Sequence, residues 1–411
     1  MKRHWLAILA LVLSPLFLGA QTLYVVNSQS RTLSRIDLST DIVNNNFASL
    51  GNIPNKVLVT QDHLWVVNSG DNSLQKISAQ TGTTLANHFI AIGSNPWDCV
   101  QHNGYLYITG LMTSKVYKMD VLTGTVVSSV NVGVSPGALL VSNGKLYVCN
   151  AGNYVSNYAG SSVSVVDLAS FSVINTIPSS ANPQYLVEHN GLIHVSCTGN
   201  WSDIAGAICV IDPATDELIQ TIPIGGTPSN IWINSTGVAY VGDGNGSSLY
   251  SYNANDFSLL NPAANPLALA ASEVVGNSTM IALLSPQWGE NAIVRIMHPD
   301  LSPWKNFTVR MMPTDLKLQG TASGNGSEVH APPALKLYPN PAKTGTMVTL
   351  HSKESNFGQL EIYNLRGQMV GLSTLIRGKA EIPTTGLPSG AYFYKLNTAT
   401  GASSGRFVLT K

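Results

Sequence analysis

The chain has 411 residues, and its 22 Lys and Arg against 22 Asp and Glu leave a formal net charge of zero. So few cations argue against nucleic acid, whose binding needs a basic patch to neutralise phosphates. Beyond residue 20 no apolar run approaches the roughly 20 residues of a membrane-spanning helix. With 44% apolar and 11% charged residues the chain is too apolar for disorder, and its 36 glycines suit many short strands joined by turns.

Residues 1–20 read as a secretory signal. Lys2, Arg3 and His4 form a positive start, Trp5 to Leu18 an apolar stretch broken by Pro15, and Gly19-Ala20 the small residues before a cut. No Cys follows until Cys99, so a lipid anchor at that cut is disfavoured.

Residues 21–319 repeat. One apolar strand recurs from Leu23, Leu64, Leu106, Leu146, Ile193, Ala239 and Met280, with start-to-start spacings of 41, 42, 40, 47, 46 and 41. A second marker interleaves with it, a proline opening a short apolar strand: Pro54, Pro96, Pro136, Pro183, Pro228, Pro266 and Pro313. Four strands in about 40–45 residues is one blade of a β-propeller, and seven copies of each marker make seven blades. The phase is shifted, because the chain enters at the second strand of a blade. Pro313 to Leu318 is therefore predicted to complete the first blade beside Leu23–Asn27, closing the ring and removing an open edge. Recurrent Asp37, Asp120, Asp167 and Asp212 precede turn residues and read as turn caps. Residues 21–335 hold 11 basic and 19 acidic side chains, a net of −8. No Lys or Arg occurs between Lys145 and Arg295, so blades four to six read as an acidic sector.

After a linker at 320–335 the texture changes. Residues 336–411 carry 9 basic and 3 acidic side chains, a net of +6. They alternate like the strands of a small Ig-like β-sandwich, with Tyr338-Pro339-Asn340-Pro341, Gly367, Gly390-Ala-Tyr392 and a terminal Lys411. The expected fold class is all-β: a seven-bladed propeller at 21–319 and this sandwich.

Two resemblances rest on these residues. The Tyr-Pro-Asn-Pro, Gly367, Gly390, Tyr392 and Lys411 series resembles the type A C-terminal sorting domain of the Bacteroidetes type IX secretion system. That implies a translocon and a sortase as partners, and a secreted or cell-surface location. The repeat resembles YVTN or YncE-like seven-bladed propellers over 21–320. That resemblance specifies a fold and no ligand, although some such propellers capture corrinoids.

In this phase, the loop before each inner strand and the loop after each Leu-Tyr-Val strand share one face. The candidate ligand-binding residues there are Asn68, Asp71, Trp97, Asp98, Asn150, Tyr185, Trp201, Asn230, Asp243, Trp288 and Asp315. Aromatics, amides and a few carboxylates converging on a funnel suit a polar-aromatic small molecule or a glycan. No catalytic or metal-ligating set stands out, and no cofactor is expected. His63, His102 and His189 fall on turns of the opposite face. A metal-assisted lyase or hydrolase, and a scaffold for protein partners, stay open as alternatives. Of Cys99, Cys149, Cys197 and Cys209, the pair expected to bond, if any does, is Cys197–Cys209, flanking one hairpin.

Overall fold

The computed structural model describes residues 21–287, 289–319, 336–351, 357–364, 368–398 and 401–410. The signal at 1–20, the linker at 320–335, Trp288, Gly367 and Lys411 lie outside them.

Seven antiparallel four-stranded sheets follow one another along the chain. Six are continuous: 54–89, 96–131, 136–178, 183–222, 228–261 and 273–311. The first blade combines 22–49 with the late strand Pro313–Leu318, which pairs with Thr22–Asn27 from Leu23↔Leu318 to Asn27↔Pro313. The two ends of the repeat region thus share one sheet, as the phase requires.

Packing explains why the Leu-Tyr-Val marker is legible. Each sheet is sandwiched between two others, so its second strand is covered on both faces and reads as an unbroken apolar run. All six residues of Thr22–Asn27 are buried. The fourth strand lies at the rim, and Ser172–Pro178 is exposed at all but one position. The propeller core is a set of wedges, one between each pair of neighbours. Leu58, Trp65 and Val67 meet Cys99, Leu106 and Ile108 between blades two and three. Val275, Leu284 and Val309 meet Leu23, Val25 and Leu316 across the closure.

The turn caps form as expected. Asp37 accepts the N–H of Ser39 and Thr40, and Asp120 those of Leu122 and Thr123. Asp167 accepts from Ser170 and Asp212 from Ala214. Hydrogen bonds from Ser39, Thr123 and Ser170 hold the first three carboxyls below the ordinary value.

Two expectations need correction. Pro266 opens no strand: it lies in the loop after Leu259–Asn261, and the seventh inner strand begins at Glu273. A proline is tolerated at a strand start because its missing donor is harmless there, and it is equally harmless in a loop. Cys197 and Cys209 are free thiols, as are Cys99 and Cys149. Cys197 lies opposite Ala207 and Cys209 opposite Val195, so the two are diagonal across the hairpin and their sulfurs stand 3.8 Å apart.

The C-terminal region forms eight strands in one hydrogen-bonded series. Its two wings join through one residue pair, Ile376↔Lys379, at the hairpin between Met369–Ile376 and Lys379–Pro383. Leu350, Leu360, Leu396 and Phe407 from both wings fill a single core that shares no residue with the propeller wedges.

Candidate functional site

The inner strands build the site by a shared irregularity. In six blades the register slips just after the opening proline, as between Pro54 and Lys56 or Pro183 and Tyr185. A bulge of this kind turns two successive side chains toward the same side. Here both the first and the second residue after the proline serve the central channel.

The first positions are Thr314, Asn55, Trp97, Gly137, Gln184, Ser229 and Ser272, one per blade, and all line one cavity of about 500 Å³. The second positions are Asp315, Lys56, Asp98, Ala138, Tyr185, Asn230 and Glu273, and they form a ring beneath it. Glu273 joins this ring by register: it pairs with Leu284 as Asp315 pairs with Val26. All but the half-buried Tyr185 are buried.

The ring carries a charge network. Lys56 Nζ stands 3.3 Å from Asp315 Oδ1 and 3.4 Å from Glu273 Oε1, and 4.5 Å from the centre of the Tyr185 ring. Tyr185 donates its hydroxyl to Glu273 Oε1 at 2.8 Å. Two residues further along its strand, Lys317 Nζ reaches Asp315 Oδ1 at 3.0 Å, and Asp315 Oδ2 accepts the Val57 N–H at 2.9 Å. Burial disfavours the Lys56 ammonium, but Asp315 and Glu273 more than reverse this and hold its pKa well above the ordinary value. Burial outweighs the pull of Lys56 at two carboxyls, raising Asp98 to about 6 and Glu273 above its usual range. Asp315, opposed to both lysines, is lowered despite its burial.

Aromatic walls rise over this floor on the side of blades three to five. Trp97, Tyr154, Tyr158 and Trp201 all line the cavity, with Trp201 51% and Tyr154 75% exposed. Asn200 Oδ1 accepts the N–H of Ser202 and Ile204, a turn that presents Trp201 at φ +65°. The indole lies against Gly244, where a Cβ would come within 2.4 Å of it.

Of the eleven sequence candidates Trp288 lies outside the described residues, and the other ten divide. Trp97, Tyr185 and Trp201 line the cavity. Asp98, Asn230 and Asp315 belong to the ring below, where Asn230 spends both ends of its amide on the Val274 backbone. Four do not reach the cavity. Asn68 and Asn150 are buried inside their blades, donating to Gln75 and Ser164. Asp71 accepts the Asn52 N–H and side-chain amide, and Asp243 ties Thr227 to Ser247. A short polar residue after a strand serves a loop's own backbone as readily as a ligand, and composition does not separate the two. The charge partners Glu273 and Lys317 were missed. Lys317 shares Asp315's strand face two residues on, a period-two signal; Glu273 was hidden by the misplaced Pro266. Among the described residues, no three His, Cys, Asp or Glu side chains group as a metal site.

Comparison with known proteins locates one part of the chain. Residues 336–410 match the secretion system C-terminal sorting domain. A sorting tail of this kind implies export by the type IX secretion system to the cell surface or the medium. Within the sorting domain, Tyr338 stacks on His351 with ring centres 5.1 Å apart, and Asn340 Oδ1 accepts the Val408 N–H. Tyr392 donates its hydroxyl to the Pro388 carbonyl and packs on Phe407. Among the described residues no helix is long and apolar enough to cross a membrane. No curated protein matches the chain. Among solved structures, it is similar to a functionally unknown protein from Desulfotomaculum acetoxidans DSM 771, with TM-score 0.55 and 13% identity over 71% of this chain and 99% of that one. It is also similar to dihydro-heme d1 dehydrogenase NirN in complex with DHE, with TM-score 0.52 and 12% identity over 72% and 74%. At such identities the likeness is one of fold alone.

Proposed function

We propose that this chain is a ligand-binding propeller of a Bacteroidetes-type bacterium, carried out of the cell by its sorting domain. Residues 1–20 direct passage across the inner membrane and are removed. Residues 336–411 engage the type IX translocon and a sortase. The propeller at 21–319 holds a small molecule in its funnel.

The observation that carries the reading is the convergence of seven first-position residues, Trp97 among them, with Tyr154, Tyr158 and Trp201 above them, on one open cavity. Its volume of about 500 Å³ falls within the range of small-molecule sites, roughly 300–1,000 Å³. Native mass spectrometry of the protein recovered from its producing cells tests it. A retained small molecule is expected, and it should be lost in Gly137→Trp, which fills the cavity from the floor. No retained mass, with no thermal shift from millimolar sugars, amines or carboxylates, would overturn the reading. Ile53, Ile92, Met112, Val134 and Val155 expose apolar side chains on the neighbouring loops and favour, as a second reading, a protein partner on the rim.

A further inference from the structure

We infer that the funnel takes an amphiphilic organic amine, its ammonium head seated on Glu273 at the floor and its apolar or aromatic body held between Trp97, Tyr158 and Trp201. The inference rests on the ligand-binding reading of the same cavity and names the class of ligand.

Three observations converge. Among the described residues, Lys56 and Glu273 are the two charged side chains in the lining. Lys56 is already committed, facing Glu273 and Asp315. An anionic ligand would meet a cation whose charge is spent. Glu273, in contrast, has capacity left. Tyr185 and Lys56 share its Oε1, while Oε2 is buried without a hydrogen-bond partner. An ionised carboxylate only accepts, so the missing group is a donor. An unmet buried acceptor is costly.

The charge count gives the sign of that donor. Once fully ionised, Asp98, Asp315 and Glu273 set three carboxylates against the two ammoniums of Lys56 and Lys317 in the channel. One more cation balances the set. The groups facing Glu273 are Lys56 on the blade-two strand, Tyr185 on the blade-five strand, and Asp315 and Lys317 on the closing strand. The walls suit the rest of the molecule. Indole and phenol faces attract a cation and cover an apolar body, most strongly where water is excluded.

Titration calorimetry on the full protein, sorting domain included, uses three probes of one shape: phenethylammonium, 2-phenylethanol and phenylacetate. The amine is expected to bind at least tenfold more tightly than the alcohol, and phenylacetate more weakly than either. Glu273→Gln should weaken the amine at least tenfold and leave the alcohol within twofold. The amine's affinity should rise with pH, because burial raises the Glu273 pKa and only the ionised carboxylate attracts the ammonium. The amine itself stays charged, as a lysine does, until about pH 10. The alcohol's affinity should not change. If Glu273→Gln fails to fold, the amine-to-alcohol ratio of the unmodified protein decides alone. Equal or tighter binding of the alcohol or phenylacetate would overturn the amine head while leaving the cavity a binding site. So would a retained native ligand without a basic nitrogen. Failure of every probe together with no retained mass would overturn both readings.

Discussion

At the scale of single residues, the channel ring sets stability as well as chemistry. Lys56 bridges two buried carboxylates, and removing it leaves Glu273 without its ion pair and Asp315 with Lys317 alone. Lys56→Met is expected to cost about 3–5 kcal/mol, seen as a lower urea midpoint with unchanged slope. Adding Glu273→Gln and Asp315→Asn to that variant should recover most of the loss. Asp98 gives a pH signature. Its carboxyl is raised to about 6, above the roughly 3.9 of an unfolded Asp, so the native state binds the extra proton between those values. Its contribution is therefore present below about pH 4 and is lost as pH rises through 6, on the order of 2–3 kcal/mol. Asp98→Asn should flatten the fall in unfolding free energy across that window, with Glu273 leaving a residual slope of the same sign. The lowered turn carboxyls act oppositely, at lower pH. Much of the ring was legible. Lys56, Asp98, Tyr185, Asn230 and Asp315 all stand two residues after a strand-opening proline, whereas Glu273 stands after no proline and came into view only through its pairing with Leu284.

At the scale of elements, a bulge and two long loops make the cavity. The bulge aims two residues per blade at the channel. The loops of blades four and five, each stiffened by an Asn side chain accepting backbone N–H groups, carry the aromatics. Gly244 is where these parts meet. Gly244→Ala should push the Trp201 indole outward, since a Cβ there would come within 2.4 Å of it. Trp201 is half exposed, so the expected cost is below about 1 kcal/mol. The readout is a red-shifted Trp201 contribution to the fluorescence, taken as the difference from Trp201→Phe. The second-strand asparagines show why loop-edge residues mislead. Asn27, Asn68 and Asn150 share one place in three blades, and each turns its amide inward to the third strand of its own blade.

At the scale of the whole molecule, closure and division matter most. Pro313–Leu318 is the inner strand of the first blade, and it also supplies Asp315 and Lys317 to the channel. Deleting 313–319 exposes the edge of Thr22–Asn27 and removes Leu316 and Leu318 from the closing wedge. The expected result is loss of the cooperative unfolding transition and aggregation, followed by circular dichroism and light scattering. Ending the chain after Gln319 keeps all seven wedges, and the propeller transition should persist. The zero net charge of the chain is a sum over unlike parts, −8 over 21–335 and +6 over 336–411. The stretch between Lys145 and Arg295 is less one-signed in space than in sequence, because Glu273 faces Lys56 of blade two and Asp216 faces Lys145 of blade four.

The sequence by itself determined the all-β class, the seven blades, the closing strand and the sorting domain. Each of these is written in local patterns: apolar runs buried on two faces, turn residues at fixed offsets, a motif series in order. Tertiary structure decided which polar residues meet. Lys56 and Glu273 are separated by most of the ring in sequence, and only the circular closure of seven inner strands brings them within 3.4 Å. Strand period sets which face a side chain occupies, but a channel floor is set by which strands converge, and that is a property of the closed ring.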